Sequence, residues 1–318
     1  MKRTVKVIVA FAAALALAFA FCGCTATTGS YTPEKKEATV KAPAIGEDGT
    51  LRVGVNSSNA PFSAQVSGSI VGIDVDMAAA IADQMGLELE IVDVGSDPES
   101  ALEKGTVDIV MGVASTDTTV SCWVSDPYVS SASAIFASDE KAEVPTADTK
   151  DLTIEATASS MSAWEVSNQF GDDALKSVDK LKVAFEDLAS GKVDYVAADA
   201  IIGSYMAHAN SYEAHMLCIM ETPTDYCVGA ASSNTDLQKA LNDALDALSK
   251  DGIVKVIEKK WLGFALDLDS AQKTEGADKQ DSSQKEKSEA VDAAAETADT
   301  GTVGSNAVEI VDDGSTQG

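Results

Sequence analysis

The chain has 318 residues, of which 51 are acidic and 23 are Lys or Arg, for a net charge of −28. Such acidity argues against a nucleic-acid-binding surface and against a folded face that lies on anionic lipid. With 45% hydrophobic residues, the chain is long enough for two lobes with separate cores.

The N-terminus has the pattern of a secretory signal. A basic segment precedes fifteen apolar residues at 7–21, a run too short to span a bilayer comfortably. The sequence FCGC follows and resembles a lipobox, with the small residue Gly23 before Cys24. We therefore expect a lipoprotein signal peptide over 1–23 and a lipid on Cys24. The alternative is an ordinary cleaved signal that removes both cysteines.

The two ends of the mature chain are polar. Residues 24–47 have balanced charge and little apolar content, which predicts a flexible tether. Residues 266–318 contain 13 acidic residues and 4 lysines, with few large apolar side chains. Because such a segment buries too little apolar surface to offset the cost of ordering its backbone, we expect a disordered acidic tail.

Helix and strand patterns alternate between these ends. Asp97 followed by Pro98 is typical of a helix start, with Asp as the N-cap. The first part has, in chain order, strand 51–55, helix 74–86, strand 88–93, helix 98–104 and strand 107–112. After a crossing at 130–137 come strand 152–156, helices 161–170 and 183–190, strand 193–198 and helix 200–209. The chain returns at 222–227 and ends in helices 235–250 and 253–261, where Trp261 is expected to anchor the last helix on the first lobe.

One local pattern occurs twice, 86 residues apart, as ALEKGTVDIVMG at 101–112 and DLASGKVDYVAA at 187–198. In both copies a helical stretch ends at a glycine, Gly105 or Gly191, which suits the left-handed residue after a helix. A Val-Asp pair and an apolar run follow, and such a run is typical of a strand buried in a parallel sheet. Two such α/β units predict two similar lobes with a ligand cleft between them.

Six segments resemble one family in order and spacing. They are LRVGVNSSNAPF (51–62), IVGIDVDMAAAIADQMG (70–86), GTVDIVMG (105–112), VSDPYVSSASAIFAS (124–138), GKVDYVAAD (191–199) and the segment 224–263 that ends in KKWLG. Together they resemble the family 3 extracellular solute-binding proteins, the receptors of polar amino-acid ABC importers. The resemblance implies an α/β, two-lobe periplasmic-binding-protein-like fold of type II, with two crossover strands at the hinge. Lobe 1 would comprise 48–130 and 227–265, and lobe 2 would comprise 131–226.

The resemblance also implies ligand contacts. Relatives hold the ligand's ammonium with an aspartate at the position of Asp199, whose alternative and compatible role is to cap the following helix. Relatives hold the carboxylate with an arginine shortly before SDPY, but this chain has none there. Its only arginines are Arg3 in the signal and Arg52 in the first strand.

Polar residues occupy the other expected contact positions. A hydroxyl-rich run occupies the position where the carboxylate site is expected: Ser115, Thr116, Thr118 and Thr119. A helix is predicted to start there, and its free amide groups together with the hydroxyl groups could bind an anion. The alternative is that the hydroxyl groups only cap the helix. In relatives, an aromatic residue just before APF stacks on the ligand; here that position is Asn59, with Asn56 at the edge of the site. Relatives also use the loop after the first strand of lobe 2, where this chain has Ser159 and Ser160. Such a pocket suits a cationic or neutral polar ligand better than a standard amino acid.

Three cysteines remain in the folded part. Cys218 and Cys227 are candidates for a disulfide because they lie in consecutive predicted strands; the alternative is that these two and Cys122 are all small buried thiols. No spacing resembles a metal site, and we expect no metal and no cofactor.

The predicted function is that of a monomeric, extracytoplasmic receptor anchored to the cell membrane by its lipid. It would deliver a small polar solute, an amino acid or a similar compound, to a membrane ABC permease, without binding nucleic acid and without enzymatic activity. Two alternatives are a ligand-sensing or scaffold protein that kept the fold without transport, and a dehydratase-like enzyme on the same fold. Against an enzyme, His208 and His215 are the only histidines, and they show no catalytic spacing.

Overall fold

The computed structural model describes residues 36–277. Outside these residues lie the predicted signal peptide, Cys24 and the tail from residue 278. The predictions of a signal peptide, of a lipid on Cys24 and of disorder in that part of the tail therefore stay untested.

The described residues form strands and helices that we number in chain order. The strands are β1 (Thr50–Val55), β2 (Ser58–Asn59), β3 (Ser63–Val66), β4 (Ser69–Val71), β5 (Glu88–Asp93), β6 (Ile109–Ala114), β7 (Trp123–Ser131), β8 (Ser133–Ala137), β9 (Ile154–Thr157), β10 (Leu175–Val178), β11 (Tyr195–Asp199), β12 (His215–Ile219) and β13 (Thr224–Ala230). The helices are α1 (Ile73–Gln84), α2 (Pro98–Glu103), α3 (Met161–Phe170), α4 (Leu181–Ala189), α5 (Ala200–Asn210), α6 (Thr235–Lys250) and α7 (Ile253–Leu262).

Two five-stranded sheets define two lobes. Lobe 1 has the strand order β5-β1-β6-β13-β7, and lobe 2 has β10-β9-β11-β8-β12. Each sheet contains three parallel strands, and in each the strand beside them, β13 or β8, runs antiparallel to both of its neighbours. The same architecture in both lobes explains the repeated sequence pattern.

The chain passes between the lobes at two adjacent places. Ala132 separates β7 of lobe 1 from β8 of lobe 2, and residues 220–223 lead from β12 back to β13. The predicted two-lobe fold with two crossover strands at the hinge is therefore confirmed. Helix α5 follows a strand of lobe 2, yet its Ile201 and Tyr205 pack in the apolar core of lobe 1, so the lobes also contact each other beside the hinge.

Local signals in the sequence correctly predicted several helix ends. The Asp97 side chain accepts a hydrogen bond from the amide of Ser100 at 3.3 Å, as expected for the N-cap of α2. Gly105 and Gly191 adopt φ values of 64° and 71°, the left-handed conformation that their positions required. Trp261 donates a 2.7 Å hydrogen bond to Asp76 of α1 and packs against the lobe 1 core, which confirms its anchoring role.

The matched motifs meet inside lobe 1. The hydroxyl of Tyr128, from SDPY, donates a 2.6 Å hydrogen bond to Asp74, from GIDVD, and accepts one from the amide of Gly112 at 3.0 Å. Ser63 donates to the second oxygen of Asp74 at 3.4 Å. Because Asp74 is buried, desolvation raises its pKa to about 6, and the two hydroxyl donors oppose this rise.

The part of each polar end segment that the structure describes, residues 36–47 and 266–277, is folded onto the lobes. The prediction of a flexible tether is wrong for residues 36–47, because Val40 and Ile45 are buried in the lobe 1 core and the carbonyl of Ala44 accepts a hydrogen bond from the side chain of Asn234. Two short apolar anchors are enough to hold this polar segment.

The prediction of disorder is also wrong for residues 266–277, which we call the C-terminal strap. The strap crosses from α7 back to lobe 2, where Leu268 is buried in the core and residues 272–274 pair with Ile219 of β12. The Thr274 hydroxyl donates a 2.5 Å hydrogen bond to Gln169 of α3. The strap is thus a third connection between the lobes.

The candidate disulfide is wrong for a topological reason. Cys218 lies in the sheet of lobe 2 and Cys227 in the sheet of lobe 1, although their strands are consecutive in the chain. Both are free and buried, and Cys122 is free as well. Among the helices of residues 36–277, none combines the length and apolar character that a membrane span requires.

Candidate functional site

The carboxyl ends of the parallel strands in both lobes point towards the hinge. In lobe 1, Ala114 at the end of β6 pairs with Tyr226, and Ser131 at the end of β7 pairs with Thr224. In lobe 2, Asp199 at the end of β11 pairs with Ser133, the first residue of β8. The loops after these strands therefore face each other across the crossing strands, which is where α/β sheets commonly bind ligands.

Asp199 lies at the centre of this arrangement. One carboxylate oxygen accepts hydrogen bonds from the amides of Ile201 and Ile202, both at 2.9 Å, so Asp199 caps α5 as predicted. The other oxygen accepts a 2.6 Å hydrogen bond from the hydroxyl of Ser131 on the first crossing strand. A single carboxylate thus joins a helix of lobe 2 to the hinge.

The lobe 2 side of the hinge is acidic. The pKa of Asp199 is raised to about 6, mainly by desolvation and to a smaller extent by the charge of Glu221, while the hydrogen bonds from Ser131 and the two amides oppose the rise. Glu221 lies on the second crossing segment and accepts a 2.8 Å hydrogen bond from the amide of Ser133. Burial likewise raises the pKa of Glu165 on α3 to about 7. A cation placed here would favour the ionised form of these carboxyl groups.

The loop after β1 carries the two asparagine candidates. Asn56 accepts a 3.1 Å hydrogen bond from the amide of Ser58, and Asn59 pairs with Ser63 in the small sheet β2-β3-β4. Both are half-buried at the carboxyl edge of lobe 1, in the segment that follows β1, the strand next to β6.

The hydroxyl-rich run after β6 is a turn, and the expected helix start is wrong. Strand β6 extends to Ala114, and the amide of Ser115 donates a 2.8 Å hydrogen bond to the carbonyl of Asp225. Asp117 accepts hydrogen bonds from the amide and hydroxyl of Thr119 at 2.8 and 2.6 Å, while Thr118 is exposed and Thr116 is half-buried. Because no helix begins here, no row of helical amide groups is available to bind an anion.

The two serine candidates of lobe 2 differ. Ser160 is buried and caps α3 by accepting a 3.0 Å hydrogen bond from the amide of Ala163. Ser159 is exposed, with a φ of 63°, in the loop after β9. Ser159 is thus the one of this pair whose hydroxyl faces solvent.

Arg52 lies away from this edge. It starts near the amino end of β1 and forms a two-point contact with Asp108, with nitrogen–oxygen distances of 2.7 and 3.2 Å, while the carbonyl of Gly105 accepts a third hydrogen bond. Within the described chain, the loops 56–59, 114–119, 157–160 and 220–225 contain no Lys, Arg or His. Arg52 is therefore structural, and these loops offer no cation to a carboxylate.

Tyr226 was not predicted from the sequence. It is half-buried at the start of β13, and its ring lies 5.1 Å from that of Phe62, measured between centroids. Its only sequence signal was its place in TDYCVG, directly after the return crossing.

The chain is similar in sequence to known proteins. The family model for bacterial extracellular solute-binding proteins, family 3, matches residues 51–264. The L-cystine-binding protein TcyJ of Escherichia coli (strain K12) is 25% identical over 227 residues, which cover 69% of this chain and 85% of TcyJ. The probable amino-acid-binding protein YxeM of Bacillus subtilis (strain 168) is 24% identical over 236 residues, which cover 71% of this chain and 88% of YxeM.

A solved structure has the same fold. The substrate-binding protein of a polar amino acid ABC uptake transporter from Streptococcus thermophilus aligns with a TM-score of 0.62 at 22% identity, and the alignment covers 69% of this chain and 88% of that one.

Proposed function

The chain belongs to the bacterial extracellular solute-binding proteins of family 3. We propose that it is the receptor of an ABC importer for a small polar solute. The solute would bind between the lobes and be delivered to the membrane permease. Of the similar proteins named above, TcyJ is an L-cystine-binding protein and YxeM a probable amino-acid-binding protein, and the family consists mainly of solute-binding proteins.

The observation that carries the proposal is the carboxylate of Asp199 at the hinge. Its three hydrogen-bond donors fix its position, and it remains half-buried at the edge where the lobes face each other. A carboxylate held in this way is suited to an ammonium group, because charge-assisted hydrogen bonds are short and strong.

The surrounding charges favour amines over α-amino acids. Glu221 on the return crossing and Asp225 near the start of β13 add negative charge, and the cleft loops of the described chain lack a basic residue that would bind a ligand carboxylate. Bidentate arginine contacts are the usual means of binding a carboxylate, and the arginine of this fold is paired with Asp108. An amine without a carboxylate, a polyol or an amide therefore fits better than a free amino acid.

Calorimetric titration of the purified protein tests this proposal. We choose lysine and 1,5-diaminopentane as probes because they share the amine chain and differ in the carboxylate. Asp199→Asn should weaken the binding of 1,5-diaminopentane by about 10- to 150-fold, the equivalent of about 1.5–3 kcal/mol, and should leave folding intact because Asn also caps helices.

Asp97→Asn is the matched control, since Asp97 caps α2 beyond β5, the strand farthest from the hinge. It should leave the affinity unchanged. Sub-micromolar binding of an ordinary amino acid that Asp199→Asn does not affect would mean that the site lies elsewhere.

The proposed receptor is anchored to the outer side of the cell membrane through a lipid on Cys24, because Gly23 supplies the small residue at the cleavage position. Mass spectrometry of membrane-extracted protein should find a lipid-modified Cys24 as the first residue. A soluble, unmodified chain that begins elsewhere would refute the anchor without affecting the proposed ligand.

Binding rather than catalysis is supported by the positions of the histidines. His208 lies near the far end of α5 from Asp199, so close to Gly263 that a Cβ there would lie 2.7 Å from its ring nitrogen. His215 begins β12, at the end of that strand away from the hinge. Neither adjoins the proposed solute.

A further inference from the structure

We propose that Tyr226 determines ligand specificity by placing an aromatic face beside the ammonium group that Asp199 binds. This inference rests on the proposed function and narrows the ligand class: among amines, polyols and amides, it selects a cationic alkylammonium. The quadrupole of the ring would attract the cation. A neutral polyol or amide carries no charge and would gain no such attraction.

The strand register places Tyr226 and Asp199 on one face of the hinge. On the antiparallel pair β7–β13, Val129 is opposite Tyr226 and Ser131 is opposite Thr224. Side chains of directly opposed residues share a face, and so do residues two apart along a strand. The Ser131 side chain thus projects from the same face as Tyr226, and its hydroxyl donates the 2.6 Å hydrogen bond to Asp199.

The separation suits a single small cation. Tyr226 and Ser131 are diagonal neighbours on this strand pair, a relation that typically separates Cα atoms by about 7–8 Å and brings long aromatic side chains within reach. A cation within about 6 Å of a ring centroid is attracted to the ring. An ammonium hydrogen-bonded to Asp199 can therefore also contact the ring of Tyr226.

The packing around Tyr226 holds the ring in place. Phe62 is 4% exposed and lies against Tyr226 at a centroid distance of 5.1 Å and an interplanar angle of 46°. Tyr226 itself is half-buried beside the lobe 1 core, so part of its surface stays accessible, and its register near Ser131 places it at the edge where the lobes meet. The contact with buried Phe62 fixes the ring without covering it completely.

The charges near Tyr226 are of one sign. Asp225 precedes it and accepts a 2.6 Å hydrogen bond from Ser130 on the opposite face of the strand pair, and Glu221 lies on the same return crossing. Within the described chain, the cleft loops defined above carry no basic side chain to compete for the ring. The family resemblance implies a stacking aromatic residue at the position of Asn59. Tyr226, in the strand on the other side of β6, would supply the aromatic surface that Asn59 lacks.

The experiment compares two probes of equal length, 1,5-diaminopentane and 1,5-pentanediol, by calorimetric titration. Tyr226→Leu should weaken 1,5-diaminopentane by about 3- to 30-fold and change the affinity of 1,5-pentanediol by less than about 2-fold. Tyr226→Phe keeps the ring and should remain within about 3-fold of the native protein for both probes. Tyr195→Leu is the control, since Tyr195 lies at the start of β11, at the opposite end from Asp199.

The outcomes separate this inference from the proposed function. If Asp199→Asn weakens 1,5-diaminopentane but Tyr226→Leu does not, the role of Tyr226 is refuted and the receptor proposal stands. An equal loss for both probes in Tyr226→Leu indicates packing alone and also refutes the inference. Failure of the native protein to bind 1,5-diaminopentane refutes this inference and the preference of the site for amines. If Tyr226→Leu strongly lowers the melting temperature, Tyr226→Met replaces it in the experiment, because the longer and more flexible Met side chain can occupy the space of the ring without being aromatic. The expected ratios are the same.

Discussion

Replacing Tyr128 with phenylalanine removes one hydroxyl group that takes part in two hydrogen bonds inside lobe 1. The hydroxyl donates to Asp74 at 2.6 Å and accepts from the amide of Gly112 at 3.0 Å. Because the side chains of Tyr128 and Asp74 are both buried, water does not readily replace the lost partner. The variant therefore tests whether the contact between the family motifs stabilises the fold.

The size of the effect depends on pH through Asp74. Its folded-state pKa of about 6 exceeds the ordinary value of 3.8, so the folded protein binds the proton more tightly than the unfolded chain. This contribution to stability is complete below pH 4 and is lost as the pH rises through 6, a change of about 3 kcal/mol. The Tyr128 hydrogen bond lowers the pKa of Asp74, so it stabilises the ionised form in particular.

These values give a specific expectation for Tyr128→Phe. At pH 5, where Asp74 is mostly protonated, the unpaired amide of Gly112 and the lost neutral hydrogen bond should cost about 2 kcal/mol. At pH 8 the loss should be greater by about 1–1.5 kcal/mol, because a hydrogen bond to a charged group contributes more. For a folded region of this size, the further fall in melting temperature at pH 8 is about 2–6 °C.

Thermal unfolding followed by circular dichroism at pH 5 and pH 8 measures both effects. Tyr195→Phe is the control, since its hydroxyl donates to the exposed carbonyl of Glu143 and its removal should have a small effect that is equal at the two pH values. An equal fall in melting temperature at both pH values for Tyr128→Phe would refute the role assigned to ionised Asp74.

Three further predictions concern stability and the state of the cysteines. Arg52→Lys should lower the free energy of unfolding by about 1–3 kcal/mol in a denaturant titration, because lysine cannot form the two-point contact, and it should leave solute affinity unchanged; a large loss of affinity would contradict its structural role. Thiol titration of residues 36–277 in denaturant without reductant should count three thiols, Cys122, Cys218 and Cys227, and a count of one would restore the disulfide hypothesis. Leu268→Ala should destabilise by about 2–4 kcal/mol in calorimetry because the side chain is buried in lobe 2, whereas a change below 0.5 kcal/mol would show that the strap does not contribute to stability.

The sequence was sufficient for the elements whose ends are set by local chemistry. The Asp97 cap, the left-handed glycines and the strand-helix alternation are each decided within a few residues, and helices 161–170 and 235–250 begin and end where predicted. The family resemblance supplied the connection of these elements into two lobes, which neighbouring residues alone do not determine.

Long-range contacts account for the predictions that were wrong. Strand β6 was expected to end at residue 112, but pairing with β13 extends it to Ala114 and turns the following hydroxyl-rich run into a loop. Cys218 and Cys227 are separated because the chain changes sheets between them. The aromatic role proposed for Tyr226 depends on its register with β7, which no local pattern reveals.

The strap has a consequence for how the protein avoids self-association. Strand β12 is the last strand of the lobe 2 sheet, and unpaired edge strands tend to recruit strands from other molecules. Pairing of residues 272–274 with Ile219 covers part of that edge. A chain shortened to residue 265 would keep the strands and helices of both lobes while exposing this edge, so the polar segment after α7 protects the protein against edge-to-edge aggregation.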